Sequence, residues 1–307
     1  MKLLIDAGNT RIKWALADGS GAGGGNWLRS GTLPVERAGE LPHQFAGLQG
    51  IRQVWVSNVA GETIERQIRD ACAELSAQPR FIVAREAQCG VRNGYSSPSR
   101  LGCDRWAALI AAWHLVRGAC LVVNSGTATT VDALSSTGEF IGGLILPGVA
   151  LMQCSLRDAT VQLQAAQAEA GQGEYAPFPL NTADALYSGA LQASCGAVER
   201  QYALLNDACP DETTDEATSH SARPPKDSDQ AVGYSHSTKL SAEKLLAGHP
   251  KDDSQVAGYE FGRRGVAPVV LSGGAAAALR DRLNVPLHIV DNLVLQGLWL
   301  IAQGTNA

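Results

Sequence analysis

Two carboxylates fall where phosphate chemistry could use them. Asp6 closes the apolar run Leu3-Leu4-Ile5 and is followed by Ala7-Gly8-Asn9-Thr10 and then Lys13. A turn of this kind offers backbone N–H groups that can approach a phosphate, because Gly8 has no Cβ. A carboxylate at the end of the strand can face Mg²⁺ directly or through water. Lys13 reaches a phosphate oxygen if it points the same way. Taken alone, the segment is an ordinary hairpin turn with a polar tip. The second carboxylate, Asp104, lies in Leu101-Gly102-Cys103-Asp104-Arg105-Trp106, just ahead of the apolar stretch 107–116. An Asp near a helix start is commonly a cap. The same position also suits a catalytic base, with Arg105 beside it to hold an anionic group. Gly126-Thr127 and Ser272-Gly273-Gly274 are two more glycine turns, each following an apolar strand. Each by itself reads as a strand-to-helix turn. Three together are better explained as one nucleotide cleft, since ligands gather at the carboxyl ends of sheet strands. Phosphoryl transfer needs these parts: donors around the phosphates, a carboxylate for Mg²⁺ and a base for the attacking hydroxyl.

The elements that must position these groups show period-two and helical patterning. Ile12, Trp14 and Leu16 alternate with Arg11, Lys13 and Ala15, which predicts a hairpin around residues 7–10. Residues 54–59 read as a buried strand, 62–75 as a helix and 81–83 as a further strand, an α/β succession. A second pass opens near residue 121. Leu4-Ile5-Asp6-Ala7-Gly8-Asn9-Thr10 can be laid on Val122-Val123-Asn124-Ser125-Gly126-Thr127-Ala128, 118 residues later. A strand ending in a short acceptor side chain and turning on glycine thus occurs twice. The offset predicts two duplicated α/β domains, 1–118 and 119–307, facing each other across a cleft. A helix is expected after Gly148 with Leu151 and Leu156 on its buried side. Gly21 to Gly25 lacks the GKS or GKT ending of a P-loop and reads as a hairpin turn. Residues 206–260 are polar and carry one near-repeat (225–234 and 250–259), so they read as a surface insertion. Residues 269–275 read as a strand running into a glycine turn, 287–290 as a strand and 293–303 as a helix.

Composition excludes several classes. The chain has 307 residues and a net charge of −5, with no clustered Lys and Arg of the kind a nucleic-acid surface needs. Its 7 cysteines are odd in number and none has CxxC spacing, which favours reduced thiols over disulfides or zinc. The first apolar run ends at Asp6, too soon for a signal peptide. No stretch of about 18 apolar residues predicts a membrane span. A cytoplasmic protein is expected. No pair among the 6 histidines has metal-ligand spacing.

In order along the chain, Asp6 to Lys13, Asn93-Gly94-Tyr95 with Pro98, Leu101 to Trp106, Gly126 to Thr130, Gly142 to Gly148, Asn181-Thr182 and Ser272-Gly273-Gly274 form a series that resembles the type III pantothenate kinases. That family is also named for a Bvg accessory factor. The resemblance implies two duplicated ribonuclease H-like domains of the actin/hexokinase ATPase kind, with an interdomain cleft, and a homodimer. It implies ATP held by Asp6, Ala7, Gly8, Asn9, Thr10, Arg11, Ile12, Lys13 and Thr127, with Mg²⁺ near Asp6. It implies pantothenate held by Tyr95, Gly102, Cys103, Asp104, Arg105 and Thr182, with Asp104 as proton acceptor. It further implies a monovalent cation, K⁺ or NH₄⁺, three residues before Thr127. Asn124 stands there in place of the family's aspartate, and a neutral amide oxygen holds K⁺ more weakly than a carboxylate. Two rival readings share the fold: a kinase for another small hydroxyl substrate, separated by the 95–105 segment, and a non-catalytic regulatory protein, disfavoured by the intact Asp6, Asp104 and Thr127.

Overall fold

The computed structural model describes residues 1–18, 27–75, 77–159, 173–208 and 267–304. The expected turn at 21–25 and the polar segment 206–260 beyond residue 208 lie outside them. The first sheet is built from β1 (Lys2–Ala7), β2 (Arg11–Ala17), β3 (Arg29–Pro34), β4 (Gln53–Asn58) and β5 (Pro79–Phe81), in the order β3-β2-β1-β4-β5. The short helix α1 (Leu41–Phe45) and α2 (Glu62–Ala71) connect them. The second sheet contains β6 (Ala87–Gln88), β7 (Val91–Asn93), β8 (Cys120–Ser125), β9 (Ala128–Leu134), β10 (Glu139–Pro147), β11 (Val269–Ser272) and β12 (Leu287–Ile289). Its order is β12-β11-β8-β9-β10-β7-β6. Helix α3 (Cys103–Val116) precedes β8, and α4 (Val149–Ala159) and α5 (Thr182–Ala208) follow β10. Helices α6 (Ala276–Arg280) and α7 (Leu293–Gly304) complete the described chain.

The two sheets repeat one plan. β1 pairs antiparallel with β2 and parallel with β4, and β8 does the same with β9 and β11. The strands β1 and β8 begin and end 118 residues apart (2 to 120, 7 to 125) and share one burial pattern, in which only Asp6 and Asn124 are partly exposed. The hairpin β6–β7, drawn from residues 87–93, is an addition at the β10 edge of the second sheet.

Successive residues on a strand point to opposite faces, so a strand buried on both faces is apolar throughout. In the first sheet Leu3, Ile5, Trp14, Val54 and Val56 pack with α1 and α2, whereas Leu4, Ala15 and Trp55 share a core with α3 and α7. In the second sheet Val122 and Val270 join that same core, and Leu121, Val123 and Leu271 pack with α5 and α6. Helices α3 and α7 therefore lie in a central layer between the sheets. This explains why α3 is apolar all round, with residues 105–112 buried. The two helices touch closely at Gly297, where any Cβ would collide with the backbone of Ala107.

Helix α3 starts at Cys103, ahead of the apolar stretch, so Asp104 and Arg105 lie in its first turn. Helix α4 corrects an expectation: Leu151 and Leu156 are 45% and 52% exposed, and the buried side carries Val149. No helix among the described residues is long and apolar enough to cross a membrane.

Candidate active site

The β1–β2 turn is closed by a hydrogen bond from Gly8 N–H to the Arg11 carbonyl (3.0 Å). Asn9 and Thr10 lie beyond the last ladder pair, Ala7 with Ile12, and are exposed. Ala7 and Ile12 are buried and anchor the turn; Arg11 is exposed and Lys13 half-buried. Asp6 pairs across the sheets' ladders with Lys13 on one side and Ser57 on the other. Burial, and next the charge of Asp104, push its carboxyl up from 3.8 to about 7, against the opposing pull of Lys13 and a hydrogen bond with Ser57. Asp6 and Asp104 therefore face one groove.

The N-terminus of α3 reaches toward both sheets. Gly102 occupies the N-cap position, and Asp104 Oδ1 accepts the Arg105 N–H at 2.8 Å. A Cβ on Gly102 would come within 2.6 Å of that oxygen, so the glycine leaves room for the carboxylate. The Cys103 thiol is turned to the end of β4, donating to the Asn58 carbonyl (3.4 Å) beside Ser57 Oγ (3.5 Å). Arg105 turns to the second sheet. Its Nε and Nη2 donate to the carboxylate of Asp132 on β9, and its Nη1 donates to Tyr95 Oη at 3.0 Å. The Tyr95 ring packs on Phe140, with centroids 5.4 Å apart. Gly94 permits this approach, because a Cβ there would strike the Phe140 carbonyl.

The second half answers the first turn for turn. Gly126 N–H bonds to the Ala128 carbonyl (2.9 Å), leaving Thr127 at the tip. Thr127 Oγ1 and Thr10 Oγ1 are hydrogen-bonded at 2.6 Å, so the two hairpin tips meet across the groove. Asn124 is half-buried between Thr130 and Ser272 in the ladder. Gly273 has φ 103° and folds over the backbone of Ser125, a left-handed conformation that L side chains resist. A cavity of about 350 Å³ is lined by Lys13 from the first half and by Gly273, Gly274, Arg280, Asp291 and Asn292 from the second.

The structure thus gathers Asp6, the 8–10 turn, Lys13, Cys103, Asp104 and Thr127 around one groove, with Arg105 and Tyr95 joined at its α3 side. Thr182 stands apart, exposed at the start of α5, where Asn181 and Asp184 cap each other's groups (2.9 and 2.6 Å). Among the described residues it has no hydrogen bond to Tyr95, Asp104 or Arg105. Ser57 and Asp132 stand beside these residues, bonded to Cys103 and Arg105, and are not among those expected from the sequence. Their signal was a polar residue next to the apolar runs Val54-Trp55-Val56 and Ala133-Leu134 of β4 and β9. Among the described residues no group of three or more His, Cys, Asp or Glu is arranged as a metal cage. A divalent ion here fits the mode Mg²⁺ favours, one or two carboxylates completed by phosphate oxygens and water.

Two sheets of one strand order, with glycine turns meeting over a desolvated carboxylate, define an actin/hexokinase-like nucleotide phosphotransferase. A family model described as type III pantothenate kinase matches residues 2–204. A type III pantothenate kinase of Nitrosospira multiformis is 40% identical, covering 99% of this chain and 92% of the relative. That of Aromatoleum aromaticum is 38% identical, covering 99% and 98%. The chain belongs to the type III pantothenate kinase family. Two solved structures share the fold. One, described as a Baf family transcriptional activator of Campylobacter jejuni, has a TM-score of 0.51 at 17% identity, covering 99% of this chain and 100% of that one. The other, described as a 2-dehydro-3-deoxygalactonokinase of Sinorhizobium meliloti, has a TM-score of 0.50 at 14% identity, covering 100% and 99%.

Proposed function

We propose that this protein phosphorylates the primary hydroxyl of pantothenate with ATP, giving 4′-phosphopantothenate, the first step of coenzyme A biosynthesis. The observation that carries the reading is the shared groove. The charge of Asp104 acts on Asp6, and the tips of the two turns meet through Thr10 and Thr127.

Asp104 accepts the hydroxyl proton as the oxygen attacks. ATP supplies the phosphoryl group, and Mg²⁺ screens its charge. The exposed tip residues Asn9, Thr10 and Thr127 present backbone donors to the phosphate oxygens, an arrangement that costs no reorganisation at the moment of transfer. Asp6 is the carboxylate for Mg²⁺, and its desolvation suits it, since a buried carboxylate near neutrality needs a proton or a cation. Lys13 borders the cavity that would take the nucleoside end. Arg105, with Tyr95 and Gly102 beside it, holds the acceptor's carboxylate end, and Cys103 is assigned to the same substrate on family resemblance. Thr182 is assigned to the same substrate on family resemblance. Asn124 is the candidate ligand for a monovalent cation, weakened by its neutral amide.

The domain division 1–118 and 119–307 is supported by the repeated strand plan; residues 87–93 then lend a hairpin to the second sheet. A homodimer is supported by exposed apolar residues along β10 and before α5. A cytoplasmic place suits free thiols at six described cysteines. Complementation of a bacterial strain lacking pantothenate kinase activity tests the function directly, and an ADP-release assay over a panel of small alcohols tests the acceptor. Growth failure with a folded, expressed chain, or a preferred acceptor other than pantothenate, would reject it.

A further inference from the structure

Arg105 and Asp132 form a buried ion pair, with side chains 7% and 2% exposed. Such a pair is a poor device for stability, because desolvating two charges offsets most of their attraction, and an apolar pair of similar volume does as well or better. The cost has a different return here. Asp132 sits mid-strand in β9, paired with Val122 on β8 and Gly143 on β10, so its backbone is fixed from both sides. A Cβ on Gly143 would collide with Asp132 Oδ1 and come within 2.6 Å of the Val131 carbonyl. The carboxylate lies over β10 only because residue 143 has no side chain.

A guanidinium carries five N–H bonds in one plane. Nε and one N–H of Nη2 are taken by Asp132, and one N–H of Nη1 by Tyr95. Among the described residues that leaves one N–H on each terminal nitrogen without a partner, two donors on one fixed guanidinium that a carboxylate can take. Phe140 and Tyr95 flank the guanidinium at 5.7 and 5.8 Å. Free arginine samples many rotamers, whereas this one is held before any ligand arrives.

We infer that Asp132 is a positioning residue, admitted by Gly143, that aims Arg105 at the carboxylate of the acceptor substrate. The inference rests on the proposed function, in which Arg105 holds that carboxylate. Asp132 touches no reacting atom and acts through Arg105, its principal partner.

The test is steady-state kinetics on the full-length chain with pantothenate and ATP varied separately. Asp132→Asn keeps the shape and removes the charge, so the KM for pantothenate is expected to rise about tenfold or more, the effect of loosening a charge-assisted contact. The kcat and the KM for ATP should stay within about twofold, since neither depends on where Arg105 points. Arg105→Met should raise the same KM, and the double variant should be no worse than Arg105→Met alone, because both changes remove one interaction. Gly143→Ala, which keeps the carboxylate but displaces it, should move the pantothenate KM in the same direction. It decides the matter if Asp132→Asn proves too unstable to assay. An unchanged pantothenate KM in a folded Asp132→Asn or Gly143→Ala chain overturns the inference, as does additivity with Arg105→Met. Arg105→Met with an unchanged pantothenate KM would instead overturn the substrate role on which it rests.

Discussion

Asp6 and Asp104 share a groove, yet their surroundings ask different things of them. Asp6 keeps its proton to about pH 7 because burial, and then Asp104, disfavour its charge. In the unfolded chain it ionises near pH 4. Between those values the folded state holds a proton that the unfolded state has released, so this group's contribution to stability is complete below about pH 4 and is lost as pH rises through 7. Without nucleotide and in a chelator, wild type should therefore lose stability relative to Asp6→Asn between pH 5 and 8, at about 1.4 kcal/mol per pH unit at most. Calorimetric melts of both proteins measure it, and parallel curves would mean that Asp6 is not desolvated as described. Asp104→Asn should keep the melting temperature while kcat falls about 10²- to 10⁴-fold, the range for losing a general base. A near-wild-type rate would reject Asp104 as the proton acceptor. Both carboxylates were legible in the sequence because each lies at the boundary of an apolar run. Asp132 and Ser57 were not, because what they do depends on partners across a ladder or on another element: Asp132 meets Arg105, and Ser57 meets Asp6 and Cys103.

At the scale of elements, the repeated strand–glycine turn could be read because it is local, and its 118-residue spacing is the spacing of β1 and β8. The hairpin β6–β7 could not, since strands of two and three residues carry no period. Helix α4 misled because its apolar residues serve two faces: Val149 and Met152 pack against α5, and Leu151 and Leu156 are exposed. The central layer shows how far the site depends on packing: α3 carries Asp104 and Arg105 and is fixed against α7 at Gly297. Gly297→Ala should force the helices apart and destabilise the fold by about 1–3 kcal/mol, the usual cost of overpacking a close contact. Urea unfolding followed by tryptophan fluorescence reads the loss. Because the strained contact is at Ala107, one turn from Asp104, kcat should fall as well. A variant of unchanged stability would mean the helices do not cross closely there.

At the scale of the whole molecule, several large apolar residues among the described ones are left outside every core. Among the described residues β10 pairs with β9 along its length but with β7 only at Glu139 and Phe140, so there its later residues form a sheet edge. Ile145 on that edge is 65% exposed, and Phe178 and Leu180, just ahead of α5, are 90% and 99% exposed. Exposed edges and exposed apolar side chains invite association unless something covers them. A second copy of the chain would cover them, because a twofold interface lets one patch meet itself. The wild-type protein should then sediment near twice its 32.2 kDa mass. Ile145→Glu combined with Phe178→Glu should shift it toward the single-chain mass without changing its circular dichroism, since neither side chain is part of a core. The charges would be desolvated only in the assembly, so the effect should appear in the dissociation constant and not in the melting of the separated chain. A wild-type chain that sediments as a monomer at micromolar concentration would end the dimer reading, and a doubly substituted chain that still dimerises would move the interface to another face.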